Sequence, residues 1–210
     1  FSADSNINMR EAVIKAIQRG YTEIAFTEHF DLIPEEIEVY GVPSYKNYSL
    51  AISATREEFP NISILKGVEL GEYHLCHNLV DQILKNDPPD LTIGSVHVLP
   101  GVINISIPLK EQMNDEVIRA YYNSNLELVK YGNFDILGHL GVHKRYLEIE
   151  PDESFMNETL EEIFYTIIEK RIALEVNLSG LTKPLTSLIP TPVHLKLYQK
   201  MGGELLTLGS

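Results

Sequence analysis

The strongest constraint on the fold is a rhythm: six short apolar runs, each preceded by a stretch of helical period. Residues 5–20 carry Ile7, Met9, Val13, Ile14 and Ile17 near helical spacing, with Asn6 or Asn8 placed to cap the start and Gly20 to end it. The run EIAFT at 23–27 follows as a strand and leads straight into Glu28, His29 and Phe30. The step recurs as a helix over 45–59 closed by Pro60 with a strand over 62–68, then a helix over 75–85 with a strand over 91–96. It continues with helices over 111–130, 158–170 and 191–201, followed by strands over 134–137, 172–176 and 205–208. Strands this continuously apolar, alternating with helices, predict a parallel sheet buried on both faces, hence an α/β fold.

Length and charge narrow the class. A chain of 210 residues fits one domain with a substantial core, as an α/β barrel or an open sheet. Thirty acidic against seventeen basic residues give a formal charge of -13, which disfavours nucleic acid as a partner. The apolar runs are far too short to span a membrane, and no signal peptide opens the sequence, so a cytoplasmic protein is expected. The single cysteine, Cys76, has no second thiol for a disulfide or a zinc ribbon. A metal site here must use nitrogen and oxygen ligands.

Such ligands recur where the predicted strands end. In α/β folds with parallel strands, ligands bind beyond the carboxyl ends of the strands. Four of the six predicted strands place His29, Glu69, His97 and His139 there. Neutral imidazoles with a carboxylate suit zinc, iron or manganese, and a two-oxygen carboxylate such as Glu69 can bridge two ions. The stretch FDILGHLGVHKRY at 134–146 adds cations directly after its histidine, the arrangement of a metal beside an anion. Singly, each histidine also reads as a hydrogen-bonded loop residue. His74 and His77 read as a surface pair, although His74 can overhang a site mouth. His194 reads as peripheral, His143 as a bystander to the ligands and Lys144 as a surface charge.

At these residues the sequence resembles the PHP family, the polymerase and histidinol phosphatase superfamily, and within it the histidinol-phosphate phosphatases. The matching stretches are FSADSN at 1–6, AFTEHFD at 25–31, GVELGE at 67–72, GSVHVL at 94–99, DILGHLGVHKRY at 135–146 and LEVNLSGLTKP at 174–184. The resemblance implies a distorted, TIM-like (β/α)7 barrel holding two or three divalent metal ions (Zn, Mn or Fe). It implies Glu69 as the bridging carboxylate, His97 and His139 as ligands of one metal, and His29 with Asp4 as ligands of a third. The implied reaction is hydrolysis of a phosphomonoester, L-histidinol phosphate in histidine biosynthesis, by a metal-activated water. Arg145 is then the cation that grips the phosphoryl group, because a guanidinium presents a fixed fork of donors. Asn177 and Ser179 either contact the substrate or cap a loop turn. Alternative readings are another PHP phosphoesterase, a protein-tyrosine phosphatase or a nuclease, and a non-catalytic barrel kept for binding.

Departures from the family pattern carry their own expectations. The family's initial His-x-His pair and its closing Asp-x-His, which follows a TLGS-like strand, are not in these 210 residues. A longer gene product, missing its first strand and last loop here, is therefore expected, and the sequence as it stands is expected to bind metal poorly and turn over little. Gly141 stands where relatives carry an acid, Thr182 lies where they carry a basic residue, and Glu28 replaces an aspartate with the charge kept.

Overall fold

The structure, a computed structural model, describes residues 7–33, 45–101, 103–108 and 113–209. They follow the predicted rhythm as α1 (Met9–Gln18), β1 (Glu23–His29), α2 (Tyr45–Glu58), β2 (Ser63–Gly71), α3 (Tyr73–Leu84) and β3 (Leu91–Ser95). A short hairpin, β4 (Val98–Leu99) with β5 (Ile103–Asn104), interrupts the alternation. Then come α4 (Asp115–Tyr131), β6 (Ile136–Leu137), α5 (Asn157–Lys170), β7 (Ala173–Asn177), α6 (Pro192–Lys200) and β8 (Leu206–Gly209). The strand order is β1-β2-β3-β6-β7-β8, and the pairs β1·β2, β6·β7 and β7·β8 are parallel. This is the α/β architecture that the sequence predicts. Among the described residues, no helix is long and apolar enough to cross a membrane.

Contacts divide the chain into two compact units, Phe1–Gly71 with Leu75–Ile93 and Glu72–His74 with Gly94–Ser210. In the first, Asn8 caps α1 by accepting from the Arg10 amide, and Gly20 takes a left-handed φ of 81° after the helix. The predicted helix over 5–20 therefore starts at Met9. The side chains of Tyr48 and Ile52 are buried, four residues apart on one face of α2. The Tyr48 hydroxyl lies 2.8 Å from both Phe26 O and Gly67 O, tying α2 to two neighbouring strands at once. Gly67 is glycine because a Cβ there would stand 2.7 Å from Phe26 O. β1 runs two residues beyond the predicted strand, since its ladder with β2 continues to His29 opposite Glu69 and on to a Phe30 N–H···Glu69 O bond of 2.7 Å.

The second unit is built around α4. Ile118, Tyr121, Tyr122, Asn125, Leu128 and Val129 are buried, and their three- and four-residue spacing forms one continuous face. Asn114 caps this helix by accepting from the amides of Glu116 and Val117, so it begins four residues later than the periodicity suggests. α5 contributes Leu160, Ile163, Phe164 and Ile167 to the same core.

Replacing Tyr48 by Phe keeps the ring but removes a buried hydrogen bond, which should cost about 1–3 kcal/mol. The expected result is a lower urea midpoint with an unchanged slope, and an unmoved midpoint would show that the strand carbonyls do not need the hydroxyl.

Candidate metal and anion site

The first unit presents its ligand-type side chains at the carboxyl ends of β1 and β2. His29 and Glu69 are register partners in adjacent parallel strands. Asp31, 1 % exposed, lies with its Oδ2 3.1 Å from His29 Nδ1. When Asp31 is ionised, this contact favours the proton on Nδ1 and leaves Nε2 as the basic nitrogen. Sequence reading did not single out Asp31, although a carboxylate two residues after a candidate ligand is the available signal.

In the second unit, His97 and His139 each follow a strand by two residues, as predicted for His139, while β3 ends one residue earlier than predicted before His97. Their Nε2 atoms approach to 3.2 Å. Two nitrogens each about 2.0–2.1 Å from one tetrahedral zinc would stand roughly 3.3 Å apart, so the observed spacing fits shared ligation of one ion. Each ring is aimed by a buried carboxylate acting on its backbone. Glu72 Oε1 accepts from the amides of His97 at 2.5 Å and Val98 at 2.9 Å, and Glu175 Oε2 accepts from the His139 amide at 2.5 Å. Glu72 adopts a left-handed φ of 48°, a strained backbone held in place by the bonds its carboxylate makes. Neither carboxylate stood out in the sequence, because each reaches its histidine through the fold.

The anion side belongs to the same unit. Arg145 Nη2 donates to Ser106 O at 2.5 Å and Nη1 to Ser179 Oγ at 3.4 Å, while its Nε is buried with no hydrogen-bond partner among the described residues. Its guanidinium lies 5.0 Å from the Tyr146 ring centroid. Ser179 Oγ donates to Asn177 Oδ1 at 2.6 Å, and Asn177 Nδ2 lies 3.4 Å from Glu175 Oε1. The structure thus joins Arg145, Ser179 and Asn177 in one chain ending at the carboxylate that holds His139. Asn177 Oδ1 also accepts from the Ser179 amide at 3.0 Å, so the turn-capping alternative is realised.

One expectation is corrected. Lys144 is no surface charge: it is 1 % exposed, and its Nζ donates to Glu153 at 2.8 Å and Glu150 at 3.0 Å. His143 is buried too, with Nε2 2.5 Å from Glu153 Oε1 and its ring 4.2 Å from that of Tyr121. The acid cluster at 148–153 was the overlooked signal, since its members pair backward with the cations. Burial pushes the Glu153 carboxyl up, but the hydrogen bonds and charges of His143 and Lys144 bring it down to about 2. Burial also lowers the imidazole of His143, against the pull of Glu153. Of the other histidines, His77 is exposed, while His74 and His194 are each lowered to about 4 by burial. Asp4 lies outside the described residues.

Alternating helices and parallel strands, with imidazoles and carboxylates at the strands' carboxyl ends, define a metal-binding α/β enzyme of barrel type. The PHP domain model matches residues 1–179, and the chain belongs to that family. It is 30% identical to the histidinol-phosphatase of Lactococcus lactis, covering 100% of this chain and 80% of that protein. It is 25% identical to a probable histidinol-phosphatase of Deinococcus radiodurans, over 92% of this chain and 75% of the relative. Among solved structures, the Lactococcus lactis histidinol phosphate phosphatase complexed with zinc, L-histidinol and phosphate superposes with a TM-score of 0.84 at 28% identity, covering 100% of this chain and 81% of that one. A Listeria monocytogenes structure at 16% identity, with a TM-score of 0.85, covers 100% of this chain and 91% of that one and shows the fold alone.

A Cβ on Gly209 would stand 1.8 Å from Glu175 Oε1 and 2.8 Å from its carboxyl carbon. Gly209→Ala should therefore push Glu175 off the His139 amide and weaken zinc binding by roughly tenfold, about what loss of a supporting contact behind a metal ligand costs. Titration against a competing chelator measures this, and unchanged affinity would free His139 from dependence on Glu175.

Acid should act in two windows. Neutral His143 stabilises the fold above its ordinary value of 6.5, and that contribution falls away as pH drops below it. Ionised Glu153 stabilises fully above its ordinary 4.5, a contribution lost as pH falls from there through about 2. Thermal melts against pH should show both declines, and Glu153→Gln should abolish the lower one.

Proposed function

We propose that the chain is a metal-dependent phosphomonoester hydrolase acting on L-histidinol phosphate. The observation that carries this reading is the buried, unpartnered Nε–H of Arg145, a donor that a phosphoryl oxygen would satisfy. Similarity to the Lactococcus lactis enzyme bound to zinc, L-histidinol and phosphate supports the choice of substrate. A local cation in an otherwise acidic protein fits a small anion held in a pocket and disfavours a nucleic-acid track.

The residues fit divalent metals. In the second unit His97 and His139 supply a nitrogen pair, and in the first His29 and Glu69 stand as register partners at the ends of adjacent strands. We read His29, Glu69, His97 and His139 as ligands of two or three ions of zinc, manganese or iron, with Asp4 as a further ligand. Asp31 then orients His29, and Glu72 orients His97. Such ions supply Lewis acidity and an activated water for attack at phosphorus. Arg145 binds the phosphoryl oxygens and offsets the charge that grows on them, where a positioned donor is worth most. Ser179 shares in this grip, and Asn177 sets the hydroxyl's direction. We take the whole chain as one catalytic domain working in the cytoplasm.

The protein loaded with manganese or zinc should hydrolyse histidinol phosphate much faster than p-nitrophenyl phosphate and lose activity to a chelator. Equal rates on both would remove the substrate assignment. Arg145→Ala should lower kcat/KM by roughly 10²–10³, about 2.7–4 kcal/mol, as loss of one positioned donor does elsewhere. An unchanged kcat/KM would remove Arg145 from the site.

A further inference from the structure

Arg145 sits at the end of a turn too short to hold itself in place. The segment from His139 to Leu147 is laced by i→i+3 bonds: Val142 N to His139 O, Lys144 N to Gly141 O, Arg145 N to Val142 O and Leu147 N to Lys144 O. Its helical part, Val142–Lys144, is a single 3-10 turn following Gly141 at a φ of 109°. Such a turn has weak hydrogen-bond geometry and little stability of its own, so side chains must fix its rotation.

They do so through one buried carboxylate. His143 and Lys144 point to different sides of the turn, yet both end on Glu153, at 2.5 Å and 2.8 Å. Tyr122 donates a third hydrogen bond to Glu153 Oε2 at 2.8 Å. Its neighbour Tyr121 holds the start of the turn, accepting from Gly141 N at 2.7 Å and donating to His139 O at 3.3 Å. All five side chains are more than nine-tenths buried. In a turn of three residues per revolution, fixing the directions of 143 and 144 fixes that of 145. The guanidinium is thereby aimed at Ser106 O and Ser179 Oγ.

We propose that Glu153 is the positioning residue for the phosphate grip: it touches neither substrate nor metal, and acts through the His143–Lys144 turn to set the direction of Arg145. The proposal rests on the reading of Arg145 as the phosphate-binding cation. It also gives the buried Lys144 ammonium and His143 imidazole a function: together with one carboxylate they hold the turn as a fixed mount. Pairing with Glu153 makes the burial of Lys144 tolerable, since a lone buried ammonium would be costly.

A double-mutant cycle tests the idea, with binding of inorganic phosphate to the metal-loaded protein measured by calorimetry. Metal content and melting temperature are recorded for each variant. Arg145→Ala should weaken phosphate binding by roughly tenfold or more, and Glu153→Gln by about fivefold to tenfold, with the metal content of both unchanged. The two together should be no weaker than Arg145→Ala alone, within about twofold, because residues acting through one contact are not additive. Tyr122→Phe removes one bond to Glu153 and no charge, and should show the same coupling with a loss of roughly twofold to threefold. It decides by the same criterion if Glu153→Gln does not fold. Effects that multiply in the double variant, or a Glu153→Gln protein with full phosphate affinity, would overturn the proposal while leaving Arg145 in its role. Full phosphate affinity in Arg145→Ala would instead remove the underlying reading.

Discussion

The two histidines proposed as a nitrogen pair, His97 and His139, depend on buried carboxylates that grip their backbone amides. His97 and His139 lie past the ends of their strands, where the sheet's hydrogen bonds no longer fix the chain. Glu72 and Glu175 take over at that point, each accepting from the amide of its histidine at 2.5 Å. A hydrogen bond to a charged group contributes about 1.5–3 kcal/mol, enough to hold one loop conformation against its neighbours. The cost is visible in the strained backbone of Glu72 and in Gly209, where no larger residue fits beside Glu175. These carboxylates also add negative charge behind the imidazoles, which favours cation binding in front of them.

The same logic explains which parts of the structure were legible in the sequence. His29, Glu69, His97 and His139 could be read because strand endings are written locally, in apolar runs that stop. The alternation of helix and strand was legible for the same reason, and the α/β class followed. The β4·β5 hairpin was not, because two-residue strands such as Val98–Leu99 are too short to show a period. Yet this hairpin lies just before Ser106, whose carbonyl meets Arg145. Lys144 was misread because the acids that signal its burial begin four residues on, and the chain alone does not show that they fold back. Its partner lies nine residues on, at the start of another helical segment.

Partners distant in sequence thus decide the role of side chains that look interchangeable along it. His143, Lys144 and Arg145 form a run of three bases, which composition alone treats as one cationic patch. The fold separates them: Lys144 is neutralised against Glu153, His143 is hydrogen-bonded to the same carboxylate, and Arg145 is left with a buried donor unmet. On the proposed reading, that separation would let a protein of net charge -13 hold an anion. The attraction would not need the surface field, because a partly buried guanidinium acts at short range where screening is weaker.

Metal ligands and anion grip are also supported by different means, and this has a consequence for how the site tolerates change. The histidines are held at their backbone amides by Glu72 and Glu175, and their rings meet each other at Nε2. Arg145 is fixed through the rotation of a turn, so its direction depends on side chains that never approach the substrate. The two supports meet in the chain from Glu175 through Asn177 and Ser179 to Arg145, whose longest links are both 3.4 Å, and in Tyr121, whose hydroxyl bonds both His139 O and Gly141 N. Links of 3.4 Å pass little strain, whereas Tyr121 couples the two directly. On the proposed reading, substitutions at Tyr122 and Glu153 would act on the anion side, and those at Tyr121 on both sides.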